Sequence, residues 1–126
     1  MKALDASIKS LIKQGREVYV FLENPELGFS PKSCIDRPFG ITSRACTVPF
    51  KEYKQRMQAY RSKVIDIVDK YQNAFILDPE PYLCDEENCY ARIDERMLYA
   101  DGDHFSVMGS QYIASKLINK VVAQNE

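Results

Sequence analysis

Residues 15–25 read Gly15-Arg16-Glu17-Val18-Tyr19-Val20-Phe21-Leu22-Glu23-Asn24-Pro25, and the reading of the fold turns on this stretch. Val18 to Leu22 is an unbroken run of β-branched, aromatic and aliphatic side chains, ended by Asn24-Pro25. A run without polar alternation predicts a buried strand of a parallel sheet. Just before it, Leu4, Ile8, Leu11 and Ile12 recur at helical spacing over residues 2–13, with Gly15 close to the stop. Helix, glycine, strand is half of a βαβ unit, and its leading strand is expected ahead of this sequence.

The same order repeats downstream. Phe50, Tyr53, Met57, Tyr60, Val64, Ile67 and Tyr71 line one helical face for about six turns, with Pro49 suited to the first turn. This stripe predicts a core-facing seam. Ala74-Phe75-Ile76-Leu77 follows as a second short buried strand, closed by Asp78-Pro79. Two such alternations predict an α/β layer architecture around a parallel sheet. From Val107 to about Val122 a last helix presents Ile113, Leu117 and Val121, with Ala114, Ile118 and Val122 beside them. Ser106 is its natural N-cap.

Two aperiodic stretches separate these elements. Residues 23–48 hold Pro25, Gly28, Pro31, Pro38 and Gly40, and a loop of that length is usually functional or tied down. Arg37 and Arg44 within it read either as solvated loop residues or as guides for an anionic group. Residues 79–97 are irregular too, and their acidic run Asp85-Glu86-Glu87 lacks the alternating oxygens and glycine turn of a calcium loop. It is expected to be solvated and closed by a disulfide.

Composition bounds what such a chain can do. Its 126 residues are 45% hydrophobic and 28% charged, with a net charge of -1, which fits one globular domain. No window approaches the apolar length of a membrane span, and residues 1–13 lack the apolar core of a signal peptide. Residues 1–63 carry 12 basic and 6 acidic side chains, and residues 64–126 carry 5 and 12. The basic residues form no cluster interleaved with aromatics, so no nucleic-acid partner is expected. Cys34, Cys46, Cys84 and Cys89 allow three pairings, of which the local one, Cys34–Cys46 with Cys84–Cys89, is the least demanding. A four-cysteine zinc site and free thiols stand as alternatives, although the spacings are not those of zinc knuckles. Disulfides would imply an oxidising compartment.

There is one histidine, His104. Sites built from two or more histidines are thereby excluded, and any histidine acid–base chemistry must use it. Asp101-Gly102-Asp103-His104 follows the strand-like Leu98-Tyr99-Ala100 and precedes the capped helix. Loops leaving the carboxyl ends of parallel strands are where such folds place active sites. A carboxylate three residues before a histidine can fix one imidazole nitrogen and leave the other as a base. The plain alternative is a surface turn in which Asp101 or Asp103 accepts from backbone amides. A third reading is a metal module of Asp101, Asp103 and His104.

The stretch Leu98-Tyr-Ala-Asp-Gly-Asp-His-Phe-Ser-Val-Met-Gly-Ser110 resembles the terminal catalytic block of the SGNH (GDSL-like) hydrolase superfamily. More narrowly, it is similar to the C-terminal portion of the SGNH domain of membrane-linked polysaccharide O-acyltransferases. Asn24-Pro25-Glu26, Pro31, Cys34, Cys46-x-Val48, Leu77-Asp78-Pro79, Leu83-Cys84 and Cys89 agree with the wider pattern, over roughly residues 4–122. The resemblance implies an α/β fold, a partial flavodoxin-like three-layer sandwich with a parallel sheet, missing its N-terminal strands. Residues 1–126 would be the C-terminal part of a single SGNH hydrolase-like domain.

By that resemblance Asp101 and His104 are two members of a Ser-Asp-His triad, His104 taking the serine proton and Asp101 supporting the imidazolium. The family's nucleophile lies in a Gly-Asp-Ser block after its first strand, and no Gly-Asp-Ser occurs here. The blocks that supply an oxyanion-hole Gly and Asn are not identifiable either. Ser7 and Ser10 fall on the first helix, Ser30, Ser33 and Ser43 in loops, Ser62 on a helix, and Ser106 at a cap. The chain alone is therefore expected to be inactive and to self-associate through an open sheet edge. The intact protein is expected to act on cell-envelope polysaccharide O-acyl groups, as acyltransferase or esterase. Its substrate would be a glycan or acyl ester, met on the periplasmic or extracytoplasmic side of a membrane part, with neither cofactor nor metal. The alternative is a non-catalytic structural or binding module that keeps Asp101 and His104 as turn and packing residues.

Overall fold

The computed structural model of the chain describes residues 1–35 and 45–124, so Arg37 and Arg44 lie outside the described residues. In chain order the elements are α1 (Lys2–Lys13), β1 (Val18–Phe21), a 3-10 turn (Pro31–Cys34), β2 (Thr47–Pro49), α2 (Phe50–Asp69) and β3 (Ala74–Leu77). Then come α3 (Glu80–Leu83), β4 (Asn88–Tyr90), β5 (Arg92–Ile93), β6 (Arg96–Met97) and α4 (Val107–Gln124). Helices and strands are mixed around a small parallel sheet, which is compatible with the α/β expectation.

β1 and β3 pair in parallel, Val18 opposite Ala74 and Phe21 opposite Leu77, with α2 as the crossover. α1 ends where expected. Gly15 takes φ +80°, and the N–H groups of Gly15 and Arg16 donate to the carbonyls of Ile12 (2.9 Å) and Leu11 (3.2 Å). That reversal needs a left-handed residue, which glycine adopts without a Cβ penalty. Val18, Val20, Leu22, Ala74 and Ile76 share one core with Ile8 of α1 and Val64 and Val68 of α2. Asp5 of α1 accepts from Lys70 Nζ (2.7 Å) and from the Tyr71 hydroxyl, closing the same layer.

The strands are less buried than their apolar runs imply. Only Ala74 of β3 is fully buried, β1 is half-buried, and Phe21 is 46% exposed. The cause is the size of the sheet: among the described residues neither strand has a second neighbour. The helix seam also shifts. Tyr53, Met57, Arg61, Val64 and Val68 are the buried face of α2, whereas Tyr60 is 38% exposed. Arg61 takes the place predicted for Tyr60, because two carboxylates beyond β3 wait for it. Pro49 closes β2 and stands just ahead of α2 rather than within its first turn.

Residues 79–97 are more ordered than a solvated loop. β4 pairs antiparallel with β2, and β5 and β6 form a hairpin. Its turn residues, Asp94 (φ 51°) and Glu95 (φ 64°), are both left-handed, the geometry of a type I′ turn. Asp-Glu is a poor sequence signal for that turn, which hid the hairpin. Asp85 to Glu87 are exposed as expected, and Asp85 Oδ1 accepts from the N–H groups of Glu87 (2.8 Å) and Asn88 (2.7 Å).

Both local disulfides are formed, Cys34–Cys46 and Cys84–Cys89, which removes the four-cysteine zinc and free-thiol alternatives. Closing loops of this size contributes on the order of 2–3 kcal/mol per bridge. Cys34, Cys46 and Cys89 are buried in the second core, with Leu27, Tyr53, Met57, Leu98, Tyr99, Ile113 and Leu117.

α4 is set close against the chain before it. Ser106 Oγ accepts from Gly109 N–H (3.0 Å) and donates to the Met97 carbonyl (2.8 Å), the cap expected from sequence. A Cβ on Gly109 would lie 1.9 Å from the carbonyl oxygen of Leu98, so backbone itself would have to move. Gly109→Ala is expected to destabilise the domain by about 2–3 kcal/mol, measured as a lower urea midpoint. An unchanged midpoint would show that α4 can slide without loss.

Candidate active site at the turn before the last helix

Residues 101–104 form a tight turn organised by one carboxylate. Asp101 Oδ1 accepts from the backbone N–H of Asp103 (3.0 Å) and of His104 (2.8 Å). The same side chain meets the imidazole, since His104 Nδ1 is 3.0 Å from both Oδ1 and Oδ2 of Asp101. Asp103 Oδ1 approaches Nδ1 at 3.1 Å. The two backbone N–H donors, and then the imidazole, hold Asp101 well below the usual carboxylate range. The hydrogen bond and charge of Asp101, with the charge of Asp103, raise His104 above the ordinary imidazole value.

The turn is anchored from a distance. Leu98-Tyr99-Ala100 is not a strand of the parallel sheet; it makes an antiparallel bridge between Tyr99 and Phe105. The site still reaches the carboxyl end of β1, because the segment after that strand holds the turn. Leu27 N–H donates to the Gly102 carbonyl (2.7 Å), and Asn24 Nδ2 donates to that of Asp103 (3.0 Å). The buried Tyr99 hydroxyl donates to the Pro25 carbonyl (2.5 Å), and burial pushes its pKa up to about 12. Asn24 and Tyr99 were not legible as site residues. The signals were that Asn24-Pro25 directly follows a strand and that Asn24 and Tyr99 both fall in stretches resembling the SGNH pattern, which gave neither of them a role.

Around the turn lie three hollows. A cleft of about 250 Å³ is lined by Glu23, Asn24, Glu26, Asp103 and His104. A wider one, about 580 Å³, runs from Glu26 and Phe29 past Lys32 to Asp101 and Asp103. On the far side of Phe105 an apolar groove of about 390 Å³ lies between Phe21, Leu77 and the α4 residues Ile113, Leu117 and Ile118.

Asp101 and His104 are thus brought into contact, the geometry that orients an imidazole as a base. Both are open to solvent, at 58% and 75% of their side chains. Among the described residues no serine hydroxyl bonds His104, and Ser106 Oγ is engaged by Met97 and Gly109. Asp101, Asp103 and His104 offer ligand atoms within 4.8 Å of one another, the only group of this kind among the described residues. The contacts they make with each other are those of a hydrogen-bonded acid–imidazole turn, which needs no cation to account for it.

A family model described as SGNH domain (fused to AT3 domains) matches residues 1–119. No curated protein and no solved structure matches the chain.

Proposed function

The chain belongs to the family of SGNH domains fused to AT3 domains, and on that premise we propose that Asp101 and His104 are the acid–base half of a Ser-Asp-His acyl-transfer site. The observation that carries this is the contact of His104 Nδ1 with both oxygens of Asp101 at 3.0 Å. A proton held between Nδ1 and Asp101 leaves the lone pair on Nε2. Nε2 takes the proton of a serine hydroxyl as its oxygen attacks the acyl carbon. The resulting imidazolium, stabilised by Asp101, returns the proton to the leaving alcohol. In the second half, Nε2 takes the proton of a sugar hydroxyl or water as its oxygen attacks the acyl carbon, and the imidazolium returns that proton to the serine oxygen as the acyl–serine bond breaks.

The serine and the oxyanion donors belong, in this reading, to a Gly-Asp-Ser block and companion blocks on strands outside this sequence. Those strands extend the β1–β3 sheet into a flavodoxin-like three-layer sandwich and cover the groove beside α4. The substrate is an O-acyl group of a cell-envelope polysaccharide, met on the extracytoplasmic side of a membrane-embedded acyltransferase part. The two disulfides support that placement. Residues 1–126 alone are then inactive and prone to self-association. The exposure of His104 favours one other reading, a non-catalytic structural or binding module.

The test is to extend the chain upstream in frame and assay p-nitrophenyl acetate hydrolysis. Activity is expected in the extended protein and not in residues 1–126. An extended protein with no Gly-Asp-Ser block and no hydrolysis would favour the module.

A further inference from the structure

Asn24 lies just beyond β1 and donates from Nδ2 to the carbonyl of Asp103 at 3.0 Å, across 79 residues of sequence. That carbonyl belongs to the same peptide unit as the N–H of His104, which donates to Asp101 Oδ1 at 2.8 Å. One peptide is therefore held at both ends, and hydrogen bonds in series through an amide polarise one another. The imidazole hangs on this unit, with Nδ1 3.0 Å from both Asp101 oxygens. If the Asp103–His104 peptide turned, its N–H would leave Asp101 and the ring would swing with it. Leu27 N–H holds the adjoining Gly102–Asp103 peptide at its carbonyl (2.7 Å), and Tyr99 ties Pro25 below the turn; neither bond touches the Asp103–His104 peptide.

Among the described residues that line this cleft, no other side chain from the segment after β1 can donate in its place. Asp101 and Asp103 approach from its own turn, and Glu23 and Glu26 share its cleft from the segment after β1. All four are carboxylates, which accept and do not donate when ionised. Asn24 is the neutral donor in the cleft.

We propose that Asn24 is a positioning residue for His104: by hooking the Asp103 carbonyl it keeps Nδ1 on Asp101 and leaves Nε2 as the base. Its catalytic meaning rests on the Ser-Asp-His reading, whereas the positioning itself is read on the imidazole. His104 is the only histidine, so its ring 15N and Cε1–H resonances are assigned directly in the intact chain. The parent protein is expected to show the Nδ1–H tautomer when neutral and a midpoint above the ordinary imidazole value. Asn24→Ala is expected to move the neutral ring toward the Nε2–H tautomer and to lower the midpoint. Asn24→Ser, polar but too short to reach the carbonyl, should do the same and serves where Asn24→Ala does not fold. Tautomer and midpoint unchanged in a folded variant would overturn the proposal.

In the upstream-extended enzyme the misplaced ring should lower kcat by about 100-fold with KM little altered. Full kcat in the Asn24 variants, beside loss of hydrolysis in His104→Ala, would overturn the positioning role and leave the triad reading standing. A tautomer shift in a protein whose hydrolysis does not depend on His104 would support the positioning and overturn the triad alone.

Discussion

His104→Ala in the upstream-extended protein is expected to lower kcat for p-nitrophenyl acetate by at least about 1,000-fold, with KM little changed. A serine hydroxyl is a weak nucleophile until a base removes its proton, and general-base catalysis is worth about 100- to 10,000-fold. A 1,000-fold loss corresponds to about 4 kcal/mol of transition-state stabilisation. p-Nitrophenolate leaves without protonation, so the loss reports the two base steps of His104, on the serine and then on the water that attacks the acyl-serine, rather than the exit of the alcohol. Asp101→Asn keeps the shape, but its amide can donate toward Nδ1 and favour the wrong tautomer. It is expected to cost about 100- to 10,000-fold. The pH profile carries an independent sign. Asp101 and Asp103 raise His104, and the base must be neutral, so the rate should fall as pH drops through a midpoint above the ordinary imidazole value. A His104→Ala protein with the parent rate would end the triad assignment.

The second large effect concerns stability and lies away from the turn. Arg61 is 5% exposed, its guanidinium bonded to both oxygens of Asp78 (3.1 and 2.6 Å) and 3.1 Å from Glu80 Oε2. Glu80 Oε2 also accepts from the Tyr53 hydroxyl (2.6 Å), and Asp78 Oδ1 accepts from Glu80 N–H (3.0 Å). Burial first, and then the bond to Glu80, raises the Tyr53 phenol. Arg61→Ala removes the cation that neutralises two carboxylates against the core. Breaking a buried pair from one side typically costs about 3–5 kcal/mol, because the partner charge stays behind. Domains of this size have about 5–15 kcal/mol in all, so the variant should unfold at a much lower urea concentration. Arg61→Lys keeps the charge and loses the two-pronged contact, so it should fall between. Lys54, also paired with Glu80 (3.2 Å) but 36% exposed, should change stability by less than about 1 kcal/mol when replaced by alanine. Equal midpoints for Arg61→Ala and the parent would show that Asp78 and Glu80 find water or Lys54 instead.

Both predictions bear on what could be read in advance. α1, β1, α2, β3 and α4 are legible because helical and extended periods are local properties of a dozen residues. The Gly15 stop, the Ser106 cap and the two short disulfides are legible for the same reason. The buried face of α2 is not: Tyr60 fits the apolar period better than Arg61, and only Asp78 and Glu80, 17 and 19 residues onward, make burying an arginine tolerable. The β5–β6 hairpin is hidden because Asp94-Glu95 carries no glycine or asparagine to announce its turn.

At the site the division is similar. A single histidine, three residues after an aspartate and two before a cap, marks the turn by composition and spacing. Those neighbours are close enough along the chain for local geometry to bring them together. That Asn24 grips the peptide before His104, and that Tyr99 is tied to Pro25, depend on packing the segment after β1 against residues 99–103. A hydrogen bond spanning more than 70 residues leaves no period in the sequence. The sequence by itself determined the run that becomes β1, the helices around it and the Asp101–His104 pair that we propose as acid and base. Only the tertiary structure decided which side chains hold that pair in place, because those contacts exist only once the end of β1 and the start of α4 have been brought together.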